Sequence, residues 1–320
     1  MSIFFLTNSL LTTVQDLGRD KFRAFGINQN GAMDKKSVRL INILLGNDEN
    51  EAVLEIHFPA PKILFEQNAL IALGGADFSA QIDDKKIENW QTVAVEKGQT
   101  LSFPKKIHGN RLYLSVKGGF EIENWLNSQS TNLKAKIGGF EGRSLQKSDW
   151  INFKFQISNF QFPKPLKISP RFAMNDLESH KIRIVETAES NLLTGFSLET
   201  LLKNEFTITP KSDRMGFRLQ GAPLYLLHEK ELISSAVAFG TIQLLPDNQM
   251  IVLMADHQTT GGYPRIGNVI REDLPRLAQL GATDKISFEI ISLEEAENLA
   301  LEFENRLNFL KTGVNLYAFD

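Results

Sequence analysis

The sequence contains no cysteine among its 320 residues. This absence excludes disulfide bonds, thiolate metal sites, iron–sulfur clusters and cysteine nucleophiles. No apolar run approaches the roughly 20 residues that a membrane-spanning helix needs. The N-terminal stretch, MSIFFLTNSLLTTVQD, has no basic residue ahead of its apolar part, which favours a first strand over a signal peptide. We therefore expect a cytoplasmic protein.

The common catalytic signatures are absent as well. No glycine is followed by lysine, so the sequence has no Walker-type phosphate loop. Neither the H-E-x-x-H nor the G-x-S-x-G pattern occurs. The histidines are scattered singly, and each is more typical of a surface or strand position than of a metal ligand: His57, His108, His180, His228 and His257. We predict no metal site.

The sequence also lacks a large excess of charge, since its formal net charge is -3 and its pI is near 6.0. Such a balance gives no general attraction to nucleic acid or to an anionic membrane, so we expect neither as a partner. Hydrophobic residues make up 42% and charged residues 23%, as in globular proteins. A chain of this length usually exceeds what one core serves, which favours two domains.

Strand-like alternation recurs more often than helical periodicity, which predicts a mainly β protein with few helices. Three hexapeptides share a turn-like polar start, an aliphatic residue at the fourth position and Phe at the sixth. They are GQTLSF (98–103), SDWINF (148–153) and TDKISF (283–288). Each is typical of a turn that leads into a closing strand, and this weak repeat favours repeated barrel units.

Helix signals are few but specific. A capping box formed by Ser292 and Glu295 precedes the longest helical pattern. The predicted helical segments are 34–46, with Asp34 as N-cap, 198–203, 271–280 and 293–311.

Prolines mark the predicted domain boundary. Pro163, Pro165 and Pro170 lie within 156–180 and discourage regular structure there. The predicted organisation is an N-terminal β-barrel domain over 1–160, a Pro-rich linker over 161–180, a C-terminal β-barrel domain over 181–295, and a C-terminal helix and tail over 296–320.

Two glycine-containing stretches carry candidate binding residues in the first predicted domain. In 13–34, Arg19 and the amides of a helix N-terminus suit an anion or a carboxylate. A long ordered loop closed by a helix cap is the alternative interpretation. In GGFEGR, 138–143, a glycine-rich turn before a strand is favoured over a binding role. The candidates in these stretches are Gln15, Asp16, Arg19, Asp34 and Arg143.

Two further stretches carry candidates in the second predicted domain. In KSDRMGFRLQG, 211–221, an extended path places Arg214 and Arg218 on one face and Asp213 on the other. A guanidinium suits carboxylate or phosphate, but an internal ion pair explains the pattern equally well. In LMADHQTTGGYPRIG, 253–267, an apolar strand ends in hydrogen-bonding groups and two glycines, which favours a loop that binds a polar, planar small molecule. Its candidates are Asp256, Gln258, Thr259, Thr260, Gly262 and Tyr263.

Four of these segments together resemble one family. TVQDLGR (13–19), GAMD (31–34), SDRMGFRL (212–219) and LMADHQTTGGYPRIG (253–267) are similar to the signatures of KipA-type proteins. This family is also called allophanate hydrolase subunit 2, or the C subunit of prokaryotic 5-oxoprolinase. The match runs in order from about residue 10 to about residue 290. The resemblance implies two cyclophilin-like β-barrel domains in tandem.

The resemblance also implies partners and an activity. Proteins of this family pair with a KipI-type (allophanate hydrolase subunit 1) protein. In 5-oxoprolinase, that pair works with a LamB/YcsF-type subunit to open 5-oxo-L-proline to L-glutamate, with ATP at the level of the complex. One alternative is a carboxyltransferase component of a biotin-dependent urea carboxylase system. Another is a non-catalytic regulator of a KipI-type kinase inhibitor.

Residue type and clustering make Arg19, Asp213, Arg214 and Asp256 the candidate catalytic residues, and the other candidates substrate-binding. The two arginines suit phosphate or carboxylate charge, and Asp256 suits proton transfer or ion pairing. Departures from the family pattern occur at Lys21, at 59–61, at Asn127 and Gln129, and around Glu186. The missing arginine at 129 matters most, and Lys134 or Arg143 is its candidate replacement.

Overall fold

A computed structural model describes residues 2–155, 165–169, 172, 180–228 and 232–317. The prediction of a mainly β protein with few helices is confirmed over these residues, which form 20 strands and four α-helices. Within the same ranges, no helix is long and apolar enough to cross a membrane. The chain divides into two compact units, and the predicted linker, 161–180, lies outside the described residues except for 165–169, 172 and 180.

The first unit comprises Met1–Arg19, Asn30–Asn175 and Arg306–Asp320. Its strands are β1 (Ile3–Phe5), β2 (Thr12–Gln15), β3 (Val53–Ile56), β4 (Ile63–Phe65), β5 (Ala69–Asp77), β6 (Gln81–Ile82), β7 (Lys85–Lys86), β8 (Thr92–Val95), β9 (Thr100–Ser102), β10 (His108–Val116) and β11 (Trp150–Ile151). They form a six-stranded sheet in the order β11-β1-β4-β9-β6-β7 and a five-stranded sheet in the order β2-β3-β10-β5-β8.

Apolar side chains from both of these sheets form one core. Ile3 and Phe65 come from the six-stranded sheet, and Leu54 and Leu114 come from the five-stranded sheet. Helix α1 (Lys35–Leu44) packs on β5 and β10. Gly74 allows this close approach, because a Cβ there would lie 2.7 Å from a methyl carbon of the helix.

The second unit comprises Asp20–Gln29 and Asp176–Asn305. Its strands are β12 (Lys181–Val185), β13 (Phe206–Ile208), β14 (Gly216–Gln220), β15 (Ser235–Ala236), β16 (Thr241–Leu244), β17 (Met250–Leu253), β18 (Thr260–Gly261), β19 (Arg265–Val269) and β20 (Lys285–Ile290). Seven of them close a barrel in the order β12-β19-β16-β17-β14-β13-β20, and β15 pairs with β18. Closure pairs each of the seven described barrel strands on both sides.

The predicted helices are all present. Helix α1 has Asp34 as its N-cap, as predicted. The others are α2 (Gly195–Lys203), α3 (Leu274–Ala278) and α4 (Leu293–Tyr317). At the start of α4, the Glu295 backbone N–H donates to Ser292 Oγ at 3.1 Å, so Ser292 caps the helix as the predicted capping box requires of it.

The three related hexapeptides fold into the same turn. Their first residues, Gly98, Ser148 and Thr283, all have a positive φ, between 75° and 91°. In each, the side chain of the second residue accepts a hydrogen bond from the backbone N–H three residues earlier, at 2.7–2.8 Å. Each first residue also donates its backbone N–H to the end of a neighbouring strand, at Phe65, Phe5 or Ile208. The prediction of a turn leading into a strand is therefore confirmed at all three places.

Candidate functional site

Strands β14 and β17 bring two of the predicted stretches side by side. Their antiparallel ladder ends with Gly216 opposite Leu253. Backbone pairing continues past the strand ends, because Met254 N–H donates to Met215 O at 3.0 Å and Asp256 N–H donates to Arg214 O at 2.8 Å. The register of one strand pair thus places Arg214 beside Asp256.

The side chains of Arg214 and Asp256 form a two-bond ion pair. Nε and Nη2 of the guanidinium each donate to one carboxylate oxygen at 3.0 Å. The two side chains are only 7% and 11% exposed. Such a fork fixes the orientation of both groups and ties the start of the 256–264 segment, here called the site loop, to the barrel.

The site loop presents polar side chains to solvent. Gln258 and Thr260 are exposed, and Tyr263 is 46% exposed. His257 is buried and its Nδ1 contacts the carbonyl of Gln258. Thr259 and Gly262 are half-buried. The amide, hydroxyl and phenol groups can therefore donate to and accept from a small polar ligand.

A segment from the N-terminal part of the chain lies against this loop within the second unit. It is Asp20–Gln29, which contains a short 3₁₀ helix over Asp20–Phe25. The Asn28 side-chain amide donates to Asp256 O at 3.1 Å, and Arg23 donates to Val237 O. The departure at Lys21 falls on an exposed position of this segment.

The side chains of Asp213, Arg214 and Arg218 are not arranged as an extended segment would place them. Asp213 is exposed and its Oδ1 accepts the backbone N–H of Met215 at 2.8 Å, which closes a bend. The bend separates buried Arg214 from exposed Arg218 on β14. The expectation that these two arginines share a face is wrong, because the chain is not extended at Arg214.

The candidates from 13–34 are buried within the first unit. Asp16 accepts hydrogen bonds from Gly18 N–H, Gln129 N–H and two serine hydroxyls, those of Ser128 and Ser130. The Gln15 amide donates to Thr13 Oγ1 and Thr131 O. These bonds hold the 128–131 segment against β2. The predicted substrate roles of Gln15 and Asp16 stay predictions.

Arg19 is fully buried in the first unit. Its guanidinium donates to Asn30 Oδ1 at 2.7 Å and to Ser130 O at 2.6 Å, and it lies 4.8 Å above the Trp125 ring. The structure therefore gives Arg19 contacts in one unit, and the Arg214–Asp256 pair contacts in the other. The predicted common catalytic role of these residues stays a prediction.

Asp34 caps α1 through both carboxylate oxygens, which accept from Ser37 N–H at 2.9 Å and Ser37 Oγ at 2.6 Å. Its own N–H donates to the Tyr113 hydroxyl, which in turn donates to Glu55 at 2.8 Å. Burial, together with the neighbouring Glu55, raises the pKa of Tyr113 well above its usual value. The tyrosine is therefore a neutral structural donor.

Arg143 forks onto Asp149, with contacts of 2.6 and 2.9 Å, and also contacts Glu141. Hydrogen bonding to Asp149 raises the pKa of Arg143 above its usual value, which is already high. Burial raises the pKa of Asp149, but Arg143 and the Gln146 N–H outweigh it and lower that pKa overall. This ion pair closes the loop before β11, and a substrate role for Arg143 stays a prediction.

Sequence reasoning missed several residues that hold the site loop. Gln243 lies beneath it, and its Nε2 donates to Tyr263 O at 3.2 Å. Arg265 follows the loop, pairs with Glu189 and donates to Ala236 O at 3.0 Å. A lone amide in the apolar strand TIQL is the signal that could have indicated Gln243.

Metal ligands do not cluster at the site or elsewhere in the described ranges, where no group of three or more His, Cys, Asp and Glu could hold an ion.

Comparison with known proteins gives the family. The model of the carboxyltransferase domain, subdomains A and B, matches residues 25–290. The C subunit of 5-oxoprolinase from Haemophilus influenzae is 40% identical over 95% of this chain and 96% of its own length. The protein of the same name from Escherichia coli is 36% identical over 90% of both chains.

A solved structure has the same fold. The Kluyveromyces lactis urea carboxylase superposes with a TM-score of 0.85 and 25% identity, over 98% of this chain and 29% of that longer one. The family model spans most of the sequence, and the two bacterial relatives match over at least 90% of both chains. The chain therefore belongs to the carboxyltransferase-domain family, subdomains A and B.

Proposed function

We propose that the chain acts as the C subunit of an ATP-dependent 5-oxoprolinase, which opens 5-oxo-L-proline to L-glutamate. The observation that carries this proposal is the 40% identity to the C subunit of a 5-oxoprolinase over 95% of this chain and 96% of the relative. A match over nearly all of both chains supports the same role in the same kind of complex. KipI-type and LamB/YcsF-type proteins are the proposed partners, and ATP is a proposed substrate of the complex.

The exposed groups of the site loop suit this substrate. 5-Oxo-L-proline carries a planar lactam with one N–H donor and one carbonyl acceptor, beside a carboxylate. Gln258, Thr260 and Tyr263 offer an amide, a hydroxyl and a phenol, which together donate and accept hydrogen bonds. We assign these three side chains to recognition of the lactam and its carboxylate.

The Arg214–Asp256 pair has a different proposed role. A lactam is a stable amide, and coupling to ATP suggests phosphoryl activation of its oxygen. Both oxygens of Asp256 already accept hydrogen bonds from Arg214, so we assign the pair to fixing the site loop. Proton transfer by Asp256 is the alternative role for this carboxylate.

The test is reconstitution with the two partner proteins. We expect ADP and glutamate to form only when 5-oxo-L-proline and all three proteins are present. An Arg214→Ala, Asp256→Ala double variant should lose most of this activity, whereas Arg218→Ala, on the exposed face of β14, should keep it. Full activity of the double variant would remove the site assignment. Absence of 5-oxoproline-dependent ATP hydrolysis with the unaltered chain would remove the proposed function.

A carboxyltransferase role is the second candidate, and the fold similarity to urea carboxylase favours it. In that case the chain and its KipI-type partner would transfer a carboxyl group from carboxybiotin to urea or another amide. The distinguishing assay follows radiolabelled carboxyl transfer from carboxybiotin, in the absence of ATP. Tight binding of the KipI-type protein without turnover in either assay would instead favour a regulator.

A further inference from the structure

Gln243 occupies an unusual position in the barrel wall. It belongs to β16, whose residues Ile242 and Leu244 are buried in the apolar core. Because side chains alternate along a strand, Gln243 points to the opposite, outer face of the wall. A polar residue on an outer face is normally solvated, yet Gln243 is only 1% exposed. Something therefore covers it.

The cover is the end of the site loop. The pairing of β16 with β19 shifts register between Ile242 and Gln243, so that Gln243 faces Arg265 where regular pairing would place Ile266. Such a bulge bends a strand and redirects its flanking residues. It brings the chain just before Arg265 over the Gln243 amide.

Two contacts show how closely the loop lies on this amide. Gln243 Nε2 donates to Tyr263 O at 3.2 Å. A Cβ added to Gly261 would lie 2.6 Å from the same nitrogen, which is closer than real Cβ contacts. A larger residue at 261 would push the end of the Gln243 side chain aside, so glycine at 261 leaves the amide where it donates to Tyr263 O.

We propose that Gln243 is a positioning residue for the candidate site, whose buried amide sets the path of residues 260–263 and thereby the placement of Tyr263. Gln243 itself does not touch the ligand in this proposal. It acts by holding the carbonyl of Tyr263, so that the exposed loop groups are ordered before the ligand arrives. Ordering in advance lowers the entropy lost on binding. The inference rests on the proposed function only in taking 5-oxo-L-proline as that ligand.

The test compares Gln243→Met, which keeps the side-chain length but removes the donor, with Gln220→Met on an exposed position of β14. The first measurement is backbone hydrogen exchange of the full-length chain over 256–264. The second is the KM for 5-oxo-L-proline and the kcat of the complex reconstituted from all three proteins. For Gln243→Met we expect about tenfold faster exchange in the loop and about a tenfold higher KM, the factor that corresponds to about 1.4 kcal/mol. The kcat should change less than about twofold.

Equal loop exchange in the two variants would overturn the proposal. Faster exchange throughout β14, β16 and β17 would also overturn it, since Gln243 would then serve only the stability of the barrel. An unchanged KM with an active complex contradicts the positioning role. If the unaltered complex is inactive, the proposed function fails, while the exchange measurement still decides whether Gln243 orders the loop.

Discussion

Removal of one member of the Arg214–Asp256 pair should strongly destabilise the second unit. We consider Arg214→Met, which keeps an apolar stem and deletes the charge, and Asp256→Leu. Each single variant leaves the opposite charge in a site where the side chains are 7% and 11% exposed. Because water reaches this site poorly, the remaining charge recovers little of its hydration.

The magnitude follows from the geometry. With contacts of 3.0 Å, the two charge centres are about 4 Å apart, and their attraction is about 4 kcal/mol at an effective dielectric constant of about 20. Breaking buried pairs costs about 3–5 kcal/mol. We expect about 3 kcal/mol for each single variant, a large share of the about 5–15 kcal/mol by which domains are stable. The double variant should cost about 1 kcal/mol, because the two opposite charges are removed together.

The distribution of tryptophan makes the assay selective. Trp90, Trp125 and Trp150 are the three tryptophans of the chain, and all belong to the first unit. Urea unfolding followed by tryptophan fluorescence therefore reports the first unit, while far-UV circular dichroism reports both. We expect the variants to move the circular dichroism transition and to leave the fluorescence transition nearly in place.

The control is Arg218→Met, at an exposed position of β14, where the expected change is within about 0.5 kcal/mol. The reasoning is refuted if Arg214→Met and Asp256→Leu each cost less than about 1 kcal/mol, or if their costs simply add in the double variant.

Two further predictions concern the hexapeptide turns. Thr283→Gly should stabilise the second unit by about 0.5–1 kcal/mol in the same urea assay. The left-handed backbone strain of the exposed Thr, about 1–2 kcal/mol, exceeds the cost of the added unfolded-chain entropy of glycine, about 0.4–1 kcal/mol. A loss of stability would contradict this prediction. Asp149→Asn should destabilise the first unit at neutral pH: the pKa of Asp149 is lower in the folded state, so its stabilisation is present above the unfolded value of about 3.9 and is lost as the pH falls through the folded value. The fluorescence-detected difference between this variant and the unaltered chain should shrink below about pH 4, and a constant difference down to about pH 2 would argue against the Arg143 pair as its cause.

Features that depend on neighbours along the chain could be predicted from the sequence. The side-chain caps of α1 by Asp34 and of α4 by Ser292 follow from short-range backbone needs, and both are present. The hexapeptide turns are equally local. The alternation of apolar and polar residues also predicted the correct fold class, because it shows that one face of a sheet is buried.

Features that depend on register could not be predicted. Whether Arg214 meets Asp213 or Asp256 is decided by how β14 aligns with β17, further along the chain, and by the bend at Arg214 itself. The partner of Arg143 also depended on how its loop closes. The amide in the strand sequence TIQL marks Gln243 as unusual, but it does not show that a bulge brings the site loop over this side chain. The pairing of strands within a sheet, and not the composition of the sequence, determines which polar groups come into contact.

The three related turns also have a practical meaning for protein engineering. Since Gly98, Ser148 and Thr283 begin turns with the same backbone bonds, their hexapeptides should be exchangeable between the two units. The variation among them separates what the turn requires from what it tolerates. An oxygen-bearing side chain second, an aliphatic residue fourth and Phe sixth are shared, while the first, third and fifth positions vary. The chain thus contains three versions of one turn. Their shared positions define a short sequence that can be used to start a strand in another protein.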